Sequence, residues 1–179
     1  MNLKKLRRPL PLKWRVQTAF PKSNPTNVMM SAYVDSRDVQ DALDDAVGAE
    51  NWMDEYRLIN GNLYCGISIN CGQGQWVTKW DVGTPSRTEK EKGEASDAFK
   101  RAAVKWGINR TAYQVEPVKL PCKMYGNKPY PVDKTGKFLK GQDLFDECNK
   151  LANFNSFVLE YENSLEDADP SDELKSSMV

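Results

Sequence analysis

Lys100 and Arg101, with Lys105 about one turn further on, lie in a stretch of helical periodicity. Their charges are of the kind that neutralise nucleic-acid phosphates, with counterion release and steep salt dependence. Lys90 and Lys92 near the start of that stretch, and Lys79 on a preceding strand, extend the candidate set. Tyr64, Trp76 and Trp80 offer flat faces on which bases can stack. Each group also has a plainer reading. Lysines and arginines populate solvated helix faces, Asp97 can pair with Arg101 at i,i+4, and tryptophans pack in cores.

Other chemistries find less support. The chain has no histidine, which removes His-based triads and His-containing zinc sites. Cys65, Cys71, Cys122 and Cys148 show no CxxC spacing, so buried or incidental thiols are expected rather than a zinc site. Asp38, Asp41, Asp44, Asp45 and Glu55 raise the alternative of a metal-dependent nuclease. Asp41 and Asp45 repel each other at i,i+4, however, and no activating lysine lies nearby in sequence, so a solvated helix face is the expectation. Gly72-Gln73-Gly74 is a turn, because no Gly-Lys-Ser/Thr follows it to cradle phosphates. No cofactor, metal or ATP is expected, and no enzymatic activity.

The 179 residues suit one domain. No apolar run approaches the roughly 18 residues of a membrane span. The basic start lacks the apolar stretch of a secretory signal, and four cysteines outside a secretory context suit reduced thiols, so the expected location is cytoplasmic. A formal net charge of zero hides an asymmetry. Residues 1–150 carry 24 Lys/Arg against 18 Asp/Glu, and residues 151–179 carry one against seven. This is a body biased toward polyanions with an acidic appendage.

The elements that must position these side chains follow from patterning. Residues 1–27 form a basic N-terminal arm, with a short strand over 14–20. An apolar run at 28–34 leads to Asp35 or Ser36 as helix cap, and the helix continues to Val47 with Gly48 as its stop. Strands over 51–59, 62–70 and 75–82 make an antiparallel meander, with Asn60-Gly61 as a hairpin turn. Thr88 and Glu91 fit a capping box for a helix that ends at Trp106 and Gly107. Its Ala95, Ala98, Phe99, Ala102, Ala103 and Trp106 fall on one arc that packs on the sheet. The expected fold is α+β: an antiparallel β-β-β-α core with an additional helix before the meander. Residues 117–141 read as an irregular basic segment, 141–157 as one more helix, and 158–179 as an acidic, disordered tail.

Three segments together resemble a known family. YVDSRDVQDALDDAVGAENW (33–52), Asp81-Val82-Gly83 and KGEASDAFKRAAVKWG (92–107) are similar, in this order, to the core of the Rad-fifty-two/Rad-twenty-two family of single-strand annealing proteins. The resemblance covers somewhat under half of the chain. It implies a homo-oligomeric ring or helical arc that binds single-stranded DNA in a basic groove and pairs complementary strands without ATP, in recombination and repair. By residue matching it places Arg37, Lys100 and Arg101 in that groove. Val104 stands where eukaryotic members carry a further basic residue, with Lys105 displaced by one, and Ala49-Glu50 stand where they carry a groove aromatic. A short chain of this kind resembles a bacteriophage recombinase. The resemblance also implies subunit contacts around Tyr33 and 117–157, and the acidic tail suits either competition for the basic groove or recruitment of a partner such as a single-strand-binding protein or an exonuclease. A DNA-end-protecting binder that does not anneal is the related alternative.

Overall fold

The computed structural model describes residues 3–84 and 90–166. Among them the expected α+β class holds: antiparallel strands in two sheets, packed with helices. The first sheet has the order β1-β2-β6-β7, built from β1 (Lys13–Phe20), β2 (Asn27–Tyr33), β6 (Val118–Tyr125) and β7 (Lys128–Pro131). The second is the expected meander of β3 (Trp52–Ile59), β4 (Asn62–Asn70) and β5 (Trp76–Val82). Asn60 and Gly61 both take positive φ, 51° and 78°, as a type I′ turn requires, and Ile59 pairs with Asn62 to close the hairpin.

Helix α1 (Ser36–Val47) starts where the sequence places it. The Asp35 carboxylate accepts the backbone N–H groups of Arg37 and Asp38, while the Asp38 side chain accepts that of Asp35. The helix stops at Gly48, whose φ of 87° suits a residue without Cβ. Helix α2 (Lys90–Trp106) lays Ala98, Phe99, Ala102, Ala103 and Trp106 against the fully buried Cys65, Ile67 and Ile69 of β4. Its C-terminus is a Schellman motif: Gly107 N–H to the Val104 carbonyl and Ile108 N–H to that of Ala103. The expected cap at Thr88 lies outside the described residues.

Residues 3–14 are anchored on the core by four side chains. Leu6, Leu10, Leu12 and Trp14 are buried, Trp14 Nε1 donates to Asn149 Oδ1 at 2.8 Å, and Arg8 pairs with Asp45 at 2.7 Å. One continuous apolar cluster joins both sheets.

Three expectations differ from the structure. Residues 118–131 are not irregular but form the β6–β7 hairpin, with Val118, Leu120 and Cys122 buried and Lys119, Pro121 and Lys123 exposed between them. The prolines mask this alternation, yet Pro121 falls at the last β2–β6 pair, where the lost N–H costs little. The single helix expected over 141–157 is two, α4 (Gly141–Leu151) and α5 (Phe154–Glu166), separated by Asn153 at φ 52°. Helix α5 (the four-residue α3 comprises Thr111–Gln114) runs into the stretch read as a disordered tail. Val158 packs on the core, and Tyr161 and Leu165 line a groove with Lys5, Arg8, Ala42 and Ala46, a stripe at helical spacing. Strand β2 pairs with β1 as far as Tyr33 but with β6 only over Asn27–Met30, so Ser31–Tyr33 have a strand partner on the β1 side alone.

Among the described residues no helix is long and apolar enough to cross a membrane.

Candidate nucleic-acid interface

With its apolar arc fixed on β4 and β5, helix α2 must present Lys100, Arg101 and Lys105 away from the core. The Asp81-Val82-Gly83 segment at the end of β5 sets the height of that row. A Cβ on Gly83 would lie 2.4 Å from the Glu94 carbonyl oxygen and 3.0 Å from Ala98 Cβ, so glycine alone allows this approach. Asp81 then stands between two cations: Arg101 Nη2 is 3.6 Å from its Oδ1 and Lys105 Nζ 3.9 Å from its Oδ2. One carboxylate shared by two cations leaves a positive surplus. Arg101 is also under-bonded, because its Nε is buried without a hydrogen-bond partner, a condition that costs on the order of 1–3 kcal/mol. An arriving phosphate oxygen would give that guanidinium a stronger acceptor. Asp97, the alternative partner for Arg101, accepts the Thr84 backbone N–H at 2.9 Å.

Lys100 lies where α1 and α2 meet. Ser36 Oγ and Ser96 Oγ are 2.7 Å apart, joining the start of α1 to α2 one turn before Lys100. Arg37 follows Ser36 and is exposed at the same junction. Burial pushes the Lys100 pKa down; Asp97 and Asp35 oppose this, and the nearby Arg15 guanidinium adds to it. Lys13, beside them, bonds to the carboxylates of Asp35 and Asp38. Burial works against its ammonium, but those two bonds outweigh it and raise the pKa.

The remaining candidates lie elsewhere. Lys79 faces the C-terminus of α2, donating to the Lys105 carbonyl at 3.0 Å and sitting 4.1 Å from the Trp106 ring centre, a favourable place for a cation at a helix end. Lys92 is exposed near the start of α2, and the Lys90 side chain lies outside the described residues. Tyr64, Trp76 and Trp80 occupy the sheet face opposite Cys65, Ile67 and Ile69, and so share no surface with the α2 row. Trp80 lies across Gly66, with Arg57 4.7 Å from its ring centre. They are neither a platform beside the basic row nor part of the α2-side core.

Two residues join the row that spacing did not single out. Tyr113 on α3, 65% exposed, stands within electrostatic reach of Arg101, Asp97 and Asp81. Arg15 on β1 reaches the surroundings of Lys100. Arg15 is remote from α2 in sequence, whereas Tyr113 follows its last residue by seven and is returned toward Arg101 by the turn after Gly107.

Three of the four aspartates of α1 are engaged by neighbours: Asp38 by Lys13, Asp44 by Trp52 Nε1 at 2.6 Å, and Asp45 by Arg8. Among the described residues no group of His, Cys, Asp and Glu side chains is placed to hold a metal ion. All four cysteines are free, and burial pushes the Cys65 and Cys148 thiols up to about 12.

No protein-family model matches the chain, and no solved structure matches it. The chain is similar to the single-stranded DNA-binding protein DdrA of Deinococcus radiodurans, with 33% identity over 121 residues. The match covers 63% of this chain and 54% of that relative, so the chain spans about half of the relative's length.

Proposed function

We propose that this chain binds single-stranded DNA along α2 and promotes pairing of complementary strands without ATP, as a homo-oligomer acting in recombination or repair. The observation that carries the reading is the row Lys100, Arg101 and Lys105, with a single carboxylate, Asp81, shared between its last two cations and Arg37 at the adjoining helix start. Similarity to a protein named for single-stranded DNA binding supports the same ligand. Annealing requires no catalytic acid or base. It requires neutralised phosphates, accessible bases and many weak sites along one strand, which repetition around an assembly supplies through effective concentration.

The test is annealing of two complementary fluorescent oligonucleotides without ATP. Acceleration that fades with added salt supports the reading. Tight strand binding without acceleration would reassign the chain to end protection, and magnesium-dependent cleavage would reassign it to a nuclease.

A further inference from the structure

The four strands of the first sheet contain no aspartate or glutamate, yet carry Lys13, Arg15, Lys119, Lys123 and Lys128. Their register sorts these residues by face. The pairs Lys13↔Tyr33, Phe20↔Asn27, Met29↔Lys119 and Lys123↔Tyr130 all share the parity opposite to the buried Trp14, Val28, Met30, Val118 and Leu120. Every cation of the sheet is therefore on its outer face, together with Phe20, Tyr33, Tyr125 and Tyr130.

Cations and rings are interleaved there. Arg15 sits 5.5 Å from the Tyr33 ring centre and Lys119 Nζ 5.1 Å from that of Phe20. Tyr125, Tyr130 and Phe138 form an edge-to-face cluster that lines a cleft with Lys140, and Lys123 lies on the strand between. Tyr33 and Phe20 lie at opposite ends of the β1–β2 pair, about 20 Å apart at the rise of a strand. The face meets the α2 row at the start of α1, where Lys13 of β1 bonds to Asp35 and Asp38 and Ser36 Oγ lies 2.7 Å from Ser96 Oγ, one turn before Lys100. Arg15 is two residues from Lys13 on the same face.

We propose that this outer sheet face is a second single-stranded DNA-binding surface, continuous with the α2 row at Arg15, on which phosphates meet Arg15, Lys119 and Lys123 and bases stack on Tyr33, Phe20 and Tyr130. Charge complementarity selects a polyanion, and rings spaced between cations select one with unpaired bases. The extension rests on the α2 reading for where the strand enters. It predicts a footprint per subunit longer than the α2 row alone can hold.

The experiment compares binding of a short and a long oligothymidylate to the wild type, to Lys119→Gln/Lys123→Gln and to Lys100→Ala/Arg101→Ala, across a salt series. Both lysines of the first variant are exposed. Lys123 Nζ also donates to the Gly136 carbonyl at 2.9 Å, so circular dichroism checks that the fold persists. The long strand should bind that variant roughly tenfold more weakly, with the salt slope reduced by about 1.4, two contacts at about 0.7 each for single strands. The short strand should be affected little. If the sheet variant retains wild-type affinity and slope while the α2 variant weakens, the sheet surface is wrong and the α2 reading stands. If neither variant weakens, both fail. Unchanged DNA binding with an altered assembly mass would assign the face to contacts between copies and overturn the proposal.

Discussion

Lys100 and Arg101 differ in what holds them, and their predicted phenotypes follow from that. Arg101 is drawn toward Asp81 at 3.6 Å, longer than a hydrogen bond, and its buried Nε has no acceptor. Lys100 is half-buried at the α1–α2 junction, with its pKa below the ordinary lysine value. Replacing both with alanine should weaken single-strand binding at least about tenfold and lower the salt slope by about 1.4. Thermal unfolding should show the fold intact. Because burial lowers the Lys100 pKa, this lysine loses its charge at a lower pH than an exposed one. Affinity for single-stranded DNA should therefore fall as pH rises through that depressed value, whereas Lys100→Arg, which stays charged, should flatten the fall. Titrating binding against pH for both proteins tests this; parallel curves would contradict it. The positions of Lys100, Arg101 and Arg37 on their helices were readable in the sequence, because capping and periodicity fix α1 and α2. Arg15 was not, because strand pairing delivers it from a remote position, and Tyr113 was not, because the turn after Gly107 decides where it falls.

At the scale of elements, the site depends on how β5, α1 and α2 are locked together. Gly83 touches the Glu94 backbone, which cannot retreat as a side chain can. Gly83→Ala should destabilise the fold by about 1–3 kcal/mol through overpacking, read as a lower urea midpoint. Asp35 is the corresponding device at α1. The Lys13 ammonium, first, and the two backbone N–H groups hold its carboxyl below the usual range, against the effect of burial. Its contribution is thus fully present above the ordinary carboxylate value, about 3.9, and is lost as pH falls through the depressed one. Asp35→Ala should cost about 1–2 kcal/mol at neutral pH, and the difference from wild type should shrink in acid. The cap of α1, the meander with its Asn60-Gly61 turn and the C-terminus of α2 were readable because local chemistry decides them. The β6–β7 hairpin was hidden by Pro121, Pro129 and Pro131, since strand propensity penalises residues that tolerate the sheet's end and edge. The acidic charge of 158–166 likewise hid the apolar stripe of α5.

At the scale of the molecule, the open strand edges decide how copies can meet. Edge strand β3 exposes Met53, Tyr56, Leu58 and Ile59, with Leu58 74% exposed. An apolar open edge of this kind is a template for association. If copies assemble there, Leu58→Lys with Met53→Lys should reduce the mass measured by light scattering toward that of a monomer. Annealing should then slow more than single-strand binding weakens, since only annealing needs many linked sites. An unchanged mass would place the subunit contacts elsewhere. The central claim, that the α2 row holds the DNA backbone, is tested most directly by fluorescence anisotropy with a labelled single strand over a salt series, for the wild type and Lys100→Ala/Arg101→Ala. The account predicts wild-type affinity that falls steeply with salt and a folded variant with weaker binding and a shallower slope. Equal affinity and equal slope for the two folded proteins would contradict it.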